Sequence, residues 1–168
     1  MYASTKIFAV TLIGAGLLAN AGHAQEPPCG APAFRQFDFW VGNWNVYKPD
    51  GTLVGENRIE REYSGCLVHE NYSTPRGYVG QSLNAYDATR RVWQQTWVDN
   101  QGTVLNLVGG LEGASMVLRG TTPTSDGGKI EQRITWTPNA DGSVRQLWEA
   151  QDKSGAWAVK FDGRYVRK

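Results

Sequence analysis

Histidine is scarce in this sequence, which contains only His23 and His69. A nucleophilic triad needs a general base, usually histidine, within hydrogen-bond reach of a serine or cysteine. The nearest approach to a nucleophile elbow, residues 80–84 (GQSLN), lacks the closing glycine that its sharp turn requires. The sequence therefore argues against a hydrolase of this type.

Motifs for bound metals and nucleotides are also missing. The sequence has no H-x-H, H-E-x-x-H or C-x-x-C, and residues 109–113 (GGLEG) match neither a phosphate-binding loop nor a dinucleotide fingerprint. We therefore expect no protein-supplied metal site and no cofactor.

Long apolar runs are absent except near the N-terminus. There, Lys6 precedes residues 7–18 (IFAVTLIGAGLL), and small residues follow that offer cleavage sites after Ala21 or Ala24. This order is typical of a secretory signal, and the run is shorter than the ~18 apolar residues of a membrane span. We expect residues 1–24 to be a cleaved signal peptide, the mature protein to be periplasmic or secreted, and no membrane span to remain after cleavage.

Neither sign of charge dominates, because the sequence contains 17 Lys and Arg residues and 16 Asp and Glu residues. Cleavage of the predicted signal would also remove Lys6. A balanced chain does not attract nucleic acid through bulk charge, so we expect no nucleic-acid partner. What remains after residue 24 has the length of one domain. We divide it into a Pro-rich leader, 25–33, and a single domain, 34–168.

Cysteine occurs only twice, as Cys29 and Cys66. In an exported chain an even number of cysteines favours pairing, so we predict a Cys29–Cys66 disulfide that ties the leader to the body of the domain. Free thiols and metal ligands are the alternatives, although a zinc site would lack further Cys and His partners.

What the chain does contain is a repeated pattern of β-rich segments and short Gly-, Asp-, Asn- or Pro-containing turns, which is typical of hairpins. One predicted turn is Gly109-Gly110. The pattern predicts about ten strands, near 43–48, 53–63, 66–73, 79–87, 92–99, 103–109, 113–120, 129–137, 143–151 and 156–166.

Ten short-linked antiparallel strands leave two long edges unless the sheet closes on itself. We therefore predict an all-β fold, an antiparallel up-and-down barrel of about ten strands, with a short helix near 34–41 closing one end. A barrel with this number of strands is wider than one filled by side chains alone, and it commonly holds a ligand.

The turn after Asp87 predicts the register of its hairpin. With a four-residue loop, the cross-strand pairs Tyr86/Trp93, Asn84/Gln95 and Ser82/Trp97 share one face. This mixture of aromatics, amides and a hydroxyl fits the wall of a cavity that holds a partly polar ligand. A polar outer face with scattered aromatics is the alternative. Simple pairing of the last hairpin likewise places Gln146, Trp148, Val159 and Phe161 on one face.

Glu70 has the same parity as Val68 and Tyr72 in its strand. If that face is interior, a carboxyl group enters the cavity, where it must find a donor or hold a raised pKa. An outward Glu70 on a half-exposed strand is the other interpretation.

Several motifs together resemble a family of uncharacterised, lipocalin-like bacterial proteins. They are FDFWVGNWNV at 37–46, GCLVHE at 65–70, GQSLNAYD at 80–87, VWQQTWVDNQG at 92–102 and the last hairpin, 145–167. The resemblance covers essentially the whole mature chain. It implies a calycin-like β-barrel with a short N-terminal helix. Proteins of this family are commonly exported, and no activity is assigned to the family.

The chain is more loosely similar to nitrobindins and fatty-acid-binding proteins, which share ten-stranded barrels. Nitrobindins bind haem through a histidine in a late strand and begin with Gly-x-Trp-x-Gly-x-Gly. Here residues 42–46 keep only Gly-x-Trp, and the last strand (WAVKFDGRYVR) has no histidine. Haem binding, with His69 as the one available imidazole, is therefore the least favoured alternative.

The aromatic stretch Phe37, Phe39 and Trp40 is predicted to close one barrel end, with direct ligand contact as the alternative. We expect an exported binding protein whose cavity takes a small hydrophobic or amphipathic molecule. The alternative is an isomerase- or cyclase-like enzyme that uses Glu70 as general acid or base. The predicted ligand-binding residues are Glu70, Tyr72, Ser82, Asn84, Tyr86, Trp93, Gln95 and Trp97.

Overall fold

The computed structural model describes residues 1–2, 27–152 and 154–168. Ten antiparallel strands form a closed barrel in which each strand pairs with its sequence neighbours, and the first strand pairs with the last. The strands are β1 Gly42–Tyr47, β2 Leu53–Glu62, β3 Leu67–Ser73, β4 Val79–Asp87, β5 Val92–Asp99, β6 Val104–Glu112, β7 Ser115–Pro123, β8 Lys129–Pro138, β9 Val144–Gln151 and β10 Trp157–Arg167. The predicted all-β barrel is thereby confirmed. The predicted signal peptide lies almost entirely outside the described residues.

The predicted helix near 34–41 is two short 3₁₀ helices, Pro32–Arg35 and Asp38–Trp40, which precede β1. None of the helical segments in the described part of the chain is long and apolar enough to cross a membrane.

The register predicted for the β4–β5 hairpin is confirmed. Tyr86 lies opposite Trp93, Asn84 opposite Gln95 and Ser82 opposite Trp97. Ser82, Asn84 and Gln95 are buried, whereas Leu83 between them is half exposed. The face that combines aromatics with amides is therefore the inner face of the barrel.

Two expectations about local structure are wrong. Gly109-Gly110 is not a turn, because β6 continues to Glu112 and the hairpin turns at Gly113. A Cβ at Gly109 would lie 2.1 Å from the carbonyl oxygen of Val117, so this glycine permits close approach of β7. Val159 faces outward and is 61% exposed, since a bulge between Val159 and Phe161 shifts the register of β10.

Candidate functional site

The two ends of the barrel differ. At one, which we call the closed end, β2 leads into the segment Tyr63–Gly65 and the chain finishes after β10. The other, the open end, carries the loops 48–52, 74–78, 100–103 and 124–128 and, between β9 and β10, residues 154–156.

Aromatic side chains fill the closed end. Phe37 and Trp40 are fully buried, and their rings stack with centroids 4.9 Å apart. Phe37 also meets Trp93 and Trp136 edge to face, with centroids 5.7 and 5.1 Å away. Trp44 donates its indole N–H to the backbone oxygen of Trp40 over 2.9 Å. These contacts identify Phe37, Trp40 and Trp44 of the motif at 37–46 as an aromatic plug.

The predicted disulfide is present beside this plug. Cys29 and Cys66 are bonded, with Cα atoms 5.1 Å apart. The Arg35 guanidinium donates to the backbone oxygen of Cys29 over 2.8 Å, and Arg61 donates to the backbone oxygens of Phe34 and Gly65 over 3.0 and 2.8 Å. The leader is therefore held at the closed end by the disulfide and by the hydrogen bond from Arg35, while Arg61 joins β2 to the segments on either side of the plug.

A cavity of about 340 Å³ lies inside the barrel toward the open end. Its floor carries the polar side chains Glu70, Gln95, Gln146 and Tyr165, and its walls carry Tyr72, Trp97, Trp148 and Phe161. Toward the mouth lie Tyr78, Asp99, Gln101, Thr103 and Lys160. The space therefore combines an aromatic wall with a polar floor.

Three glycines make room for the wall. A Cβ at Gly80 would lie 2.2 Å from Cζ2 of Trp97, one at Gly163 would lie 2.5 Å from Phe161, and one at Gly55 would lie 2.6 Å from the Tyr72 hydroxyl. Each aromatic side chain occupies the place where another residue would project a side chain. The rings consequently lie against the wall and leave the centre of the barrel open.

Glu70 is the carboxyl group of the floor and is only 3% exposed. Asn57 donates its amide N–H to Oε1 over 2.6 Å, and the Ser82 hydroxyl donates to Oε2 over 2.6 Å. In the described residues no Lys or Arg forms a salt bridge with Glu70; Arg58 pairs with Glu60, and Arg133 pairs with Glu149. Because side chains alternate along β3, Glu70 points into the barrel, and it does so without a salt bridge.

A second layer of polar groups supports the floor. Asn84 donates to Ser82 Oγ over 2.8 Å and to the backbone oxygen of Val68 over 3.0 Å, and Gln95 donates to Asn84 Oδ1 over 2.8 Å. Tyr165 donates its hydroxyl to Gln146. Such a network fixes side-chain orientations in a region where an unmet polar group would be costly.

Burial raises the pKa of Glu70 to about 7, although the hydrogen bonds from Ser82 and Asn57 oppose this effect. Burial and the neighbouring Glu70 charge raise the pKa values of Tyr72 and Tyr165. At the mouth, burial alone would raise the pKa of Asp99, but hydrogen bonds from Thr103, Tyr78 and Gln101 hold it at about 2. Asp99 is therefore charged at neutral pH, whereas Glu70 lies near its midpoint.

The Glu70→Gln variant is expected to change how stability depends on pH. The Glu70 pKa is 4.5 in the unfolded reference and about 7 in the folded protein. Its contribution to stability is therefore full below pH 4.5 and is lost as pH rises through 7, a change of about 3 kcal/mol. Glutamine does not ionise. Between pH 4.5 and pH 8 the unfolding free energy of the variant, measured by urea denaturation, should therefore rise by about 3 kcal/mol relative to that of the wild type.

Glu131→Gln is the control for this measurement, because Glu131 is exposed. Its unfolding free energy should follow the wild-type pH profile throughout. Parallel profiles for Glu70→Gln and wild type would show that Glu70 ionises in the folded state as readily as in the unfolded chain.

The structure separates the eight predicted ligand-binding residues into three groups. Glu70, Tyr72, Gln95 and Trp97 line the cavity. Ser82 and Asn84 are fully buried behind its floor. Tyr86 and Trp93 lie at the closed end, where they pack against Phe34 and Phe37, and they are outside the cavity lining.

Sequence reasoning missed the part of the site that comes from the last two strands. Gln146, Trp148, Phe161 and Tyr165 line the cavity opposite β3 and β5. A shared face for Gln146, Trp148 and Phe161 was readable from the last hairpin. This face lies across the cavity from the β4–β5 face because the pairing of β1 with β10 closes the barrel.

His69 faces away from the cavity. It alternates with inward Val68 and Glu70, lies opposite the exposed Leu83, and its Nδ1 is 2.8 Å from Glu62 Oε1. Within the described residues, no three Cys, His, Asp or Glu side chains group as metal ligands would. The His69 imidazole therefore points away from the inside of the barrel, where a haem would need its axial ligand.

Comparison with models of protein families gives no match, and comparison with the sequences of curated proteins gives none either.

Proposed function

We propose that the protein is an exported, lipocalin-like barrel that binds a small, largely apolar molecule carrying one or two polar groups. The observation that carries this proposal is the cavity of about 340 Å³, which opens at one end and has aromatic walls above a polar floor. Ligand pockets typically have this combination of apolar surface and a few placed polar groups, at volumes of roughly 300–1,000 Å³.

Export is supported by two independent features. Residues 1–24 have the order of a secretory signal, and the Cys29–Cys66 disulfide is of the kind that persists in oxidising compartments. A periplasmic or secreted location fits both.

Native mass spectrometry of the protein purified from its own compartment tests the binding function. We expect a non-covalent adduct of small-molecule mass that is lost on unfolding. Absence of any adduct, together with failure of the protein to take up apolar probes that quench the fluorescence of Trp97 and Trp148, would overturn the proposal.

The Gly80→Ala variant should weaken binding of the captured compound at least tenfold. The new Cβ would lie 2.2 Å from Trp97, so the indole must move toward the ligand space. Gly163→Ala, which displaces Phe161, should act in the same direction. Gly110→Ala is the matched control in β6, because a Cβ there meets nothing within 4 Å. Equal affinity in all three variants, measured by titration calorimetry, would place the ligand outside this cavity.

A second candidate, catalysis by Glu70, is favoured by one observation. Glu70 is buried at the cavity floor without a salt bridge, and burial raises its pKa to about 7, where a carboxyl group can both give and accept a proton. Conversion of the captured compound by the wild type, and not by Glu70→Gln, would support an isomerase- or cyclase-like enzyme. Recovery of the compound unchanged from both would leave binding as the function.

A further inference from the structure

The charged groups of the cavity are unevenly placed. Among the floor residues only Glu70 is an acidic or basic residue, whereas Asp99 and Lys160 lie toward the mouth. Lys160 is exposed, and Asp99 accepts hydrogen bonds from Tyr78 and from the backbone of Gln101 and Thr103. The buried part of the cavity lining therefore has an acid and no base.

Most donors around the floor are already used within the protein, and the side-chain amide of Gln146 is the exception, with no acceptor among the described residues. Asn57 and Ser82 donate to Glu70, Tyr165 donates to Gln146, and Trp148 donates its indole N–H to Gln132 over 2.7 Å. An anionic ligand group would need such donors, and beside Glu70 it would also meet a like charge. A ligand that brings its own donors or a positive charge suits this floor.

Glu70 retains acceptor capacity toward the cavity. An ionised carboxylate offers about four lone-pair sites, and the hydrogen bonds from Asn57 and Ser82 use one on each oxygen. The remaining sites can accept from a ligand without breaking either bond.

Aromatic side chains surround the same space. They are Tyr72, Tyr78, Trp97, Trp148, Phe161 and Tyr165. The faces of aromatic rings attract cations, and desolvated cation–π contacts contribute about 2 kcal/mol or more. A carboxylate within an aromatic enclosure is a chemical match for an ammonium group.

We propose that this cavity selects a hydrophobic cation, an amine or quaternary ammonium group on an apolar body, with the cationic group beside Glu70 and the body against Trp97, Trp148 and Phe161. This inference rests on the proposed binding function and names the class of its ligand. An amphipathic anion with its head group at Lys160 is the competing arrangement, and it would leave its apolar end against the polar floor.

The affinity for a permanently charged cation should rise with pH, because such a cation binds more tightly to the protein with ionised Glu70 than to the protein with neutral Glu70. The groups that face Glu70 are Asn57 from β2, Ser82 from β4, Gln95 from β5, Tyr72 from its own strand and Tyr165 from β10. None of the three polar residues titrates, and the pKa values of both tyrosines are raised above 10. His69, the next residue along β3, faces outward toward Glu62, and its positive charge, when present, lowers the pKa of Glu70.

Three probes with ten-carbon chains test the inference: decyltrimethylammonium, decanol and decanoate, titrated into the disulfide-bonded protein by calorimetry below the micelle concentrations of the ionic probes and the solubility limit of decanol. At pH 8 the cation should bind at least tenfold more tightly than either other probe. Its affinity should fall at least tenfold between pH 8 and pH 5.5, while that of decanol stays constant. Tighter binding of decanoate or decanol would overturn the cation selectivity and leave the binding function in place.

Variants identify the group responsible. Glu70→Gln should abolish the preference for the cation over decanol and its pH dependence, and the exposed-site control Glu131→Gln should behave as wild type. A cation preference that survives in Glu70→Gln would overturn the inference. If none of the decyl probes binds, the charge of the compound recovered by native mass spectrometry decides: a cation supports the inference, and a neutral or anionic compound overturns it. Failure of all probes with no recovered compound would overturn the binding function as well.

Discussion

Replacing Trp40 with alanine is expected to lower the free energy of unfolding by about 3–5 kcal/mol, the usual cost of deleting a large aromatic side chain from a core. Trp40 is fully buried, stacks on Phe37 and contacts Trp136 with ring centroids 5.4 Å apart. Its removal leaves a void among rigid aromatic rings, which cannot collapse to refill it. Urea denaturation followed by far-UV circular dichroism measures the loss.

Trp157→Ala is the matched control for this substitution. Trp157 is 40% exposed on the outer face, and its main partner is the Arg133 guanidinium, 4.4 Å from the ring centroid. An exposed cation–π contact contributes about 0.5–1 kcal/mol, so the control should lose far less stability than Trp40→Ala. Similar losses in the two variants would mean that the aromatic plug contributes little to the stability of the barrel.

The strand pattern was predictable because hairpins are local. Turn residues such as Asp87 to Thr89 limit the loop length, and loop length sets the register of the adjoining strands, as the β4–β5 pairs show. One error arose at a bulge in β10, which shifts the register after Val159, and the other arose where a glycine does not mark a turn. Gly109 lies within β6 because β7 passes too close for a side chain, a contact between strands that local composition does not reveal.

The candidate site was predictable in part for a related reason. Alternation along a strand tells which residues share a face, so the grouping of Glu70 with Tyr72 and of Ser82 with Asn84 was readable, whereas the inward direction of these faces was left open. It does not tell how far along the barrel axis a residue lies. Tyr86 and Trp93 share the face of Asn84 and Gln95, yet the aromatic plug covers them at the closed end.

Closure of the barrel decides the rest of the site. The pairing of Val46 with Tyr165 and of Trp44 with Arg167 joins the first and last strands, and this brings β9 and β10 round to face β3 to β5. Tyr165 reaches the Glu70 network from more than ninety positions along the chain, with Asn57 Nδ2 3.4 Å from its hydroxyl. No hairpin rule contains such a contact.

The position of the disulfide leads to a further expected result, in which stability and binding separate. Cys29 and Cys66 enclose a loop with a sequence separation of 37, and a cross-link of this length contributes about 3–4 kcal/mol in the chain-entropy model. Reduction, or the double substitution Cys29→Ser/Cys66→Ser, should therefore lower the melting temperature by on the order of 10 °C. The cavity opens at the opposite end of the barrel, so affinity for the captured ligand should stay within a factor of about two of the wild-type value.

Thermal denaturation and calorimetric titration, each with and without dithiothreitol, measure both quantities. The double variant serves as its own control, because the reductant should leave it unaffected. Loss of the β-sheet signal on reduction at room temperature would show that the barrel depends on the disulfide to fold. Loss of ligand affinity with the sheet intact would show that the closed end controls the shape of the cavity, since no bond of the leader reaches the residues that line it.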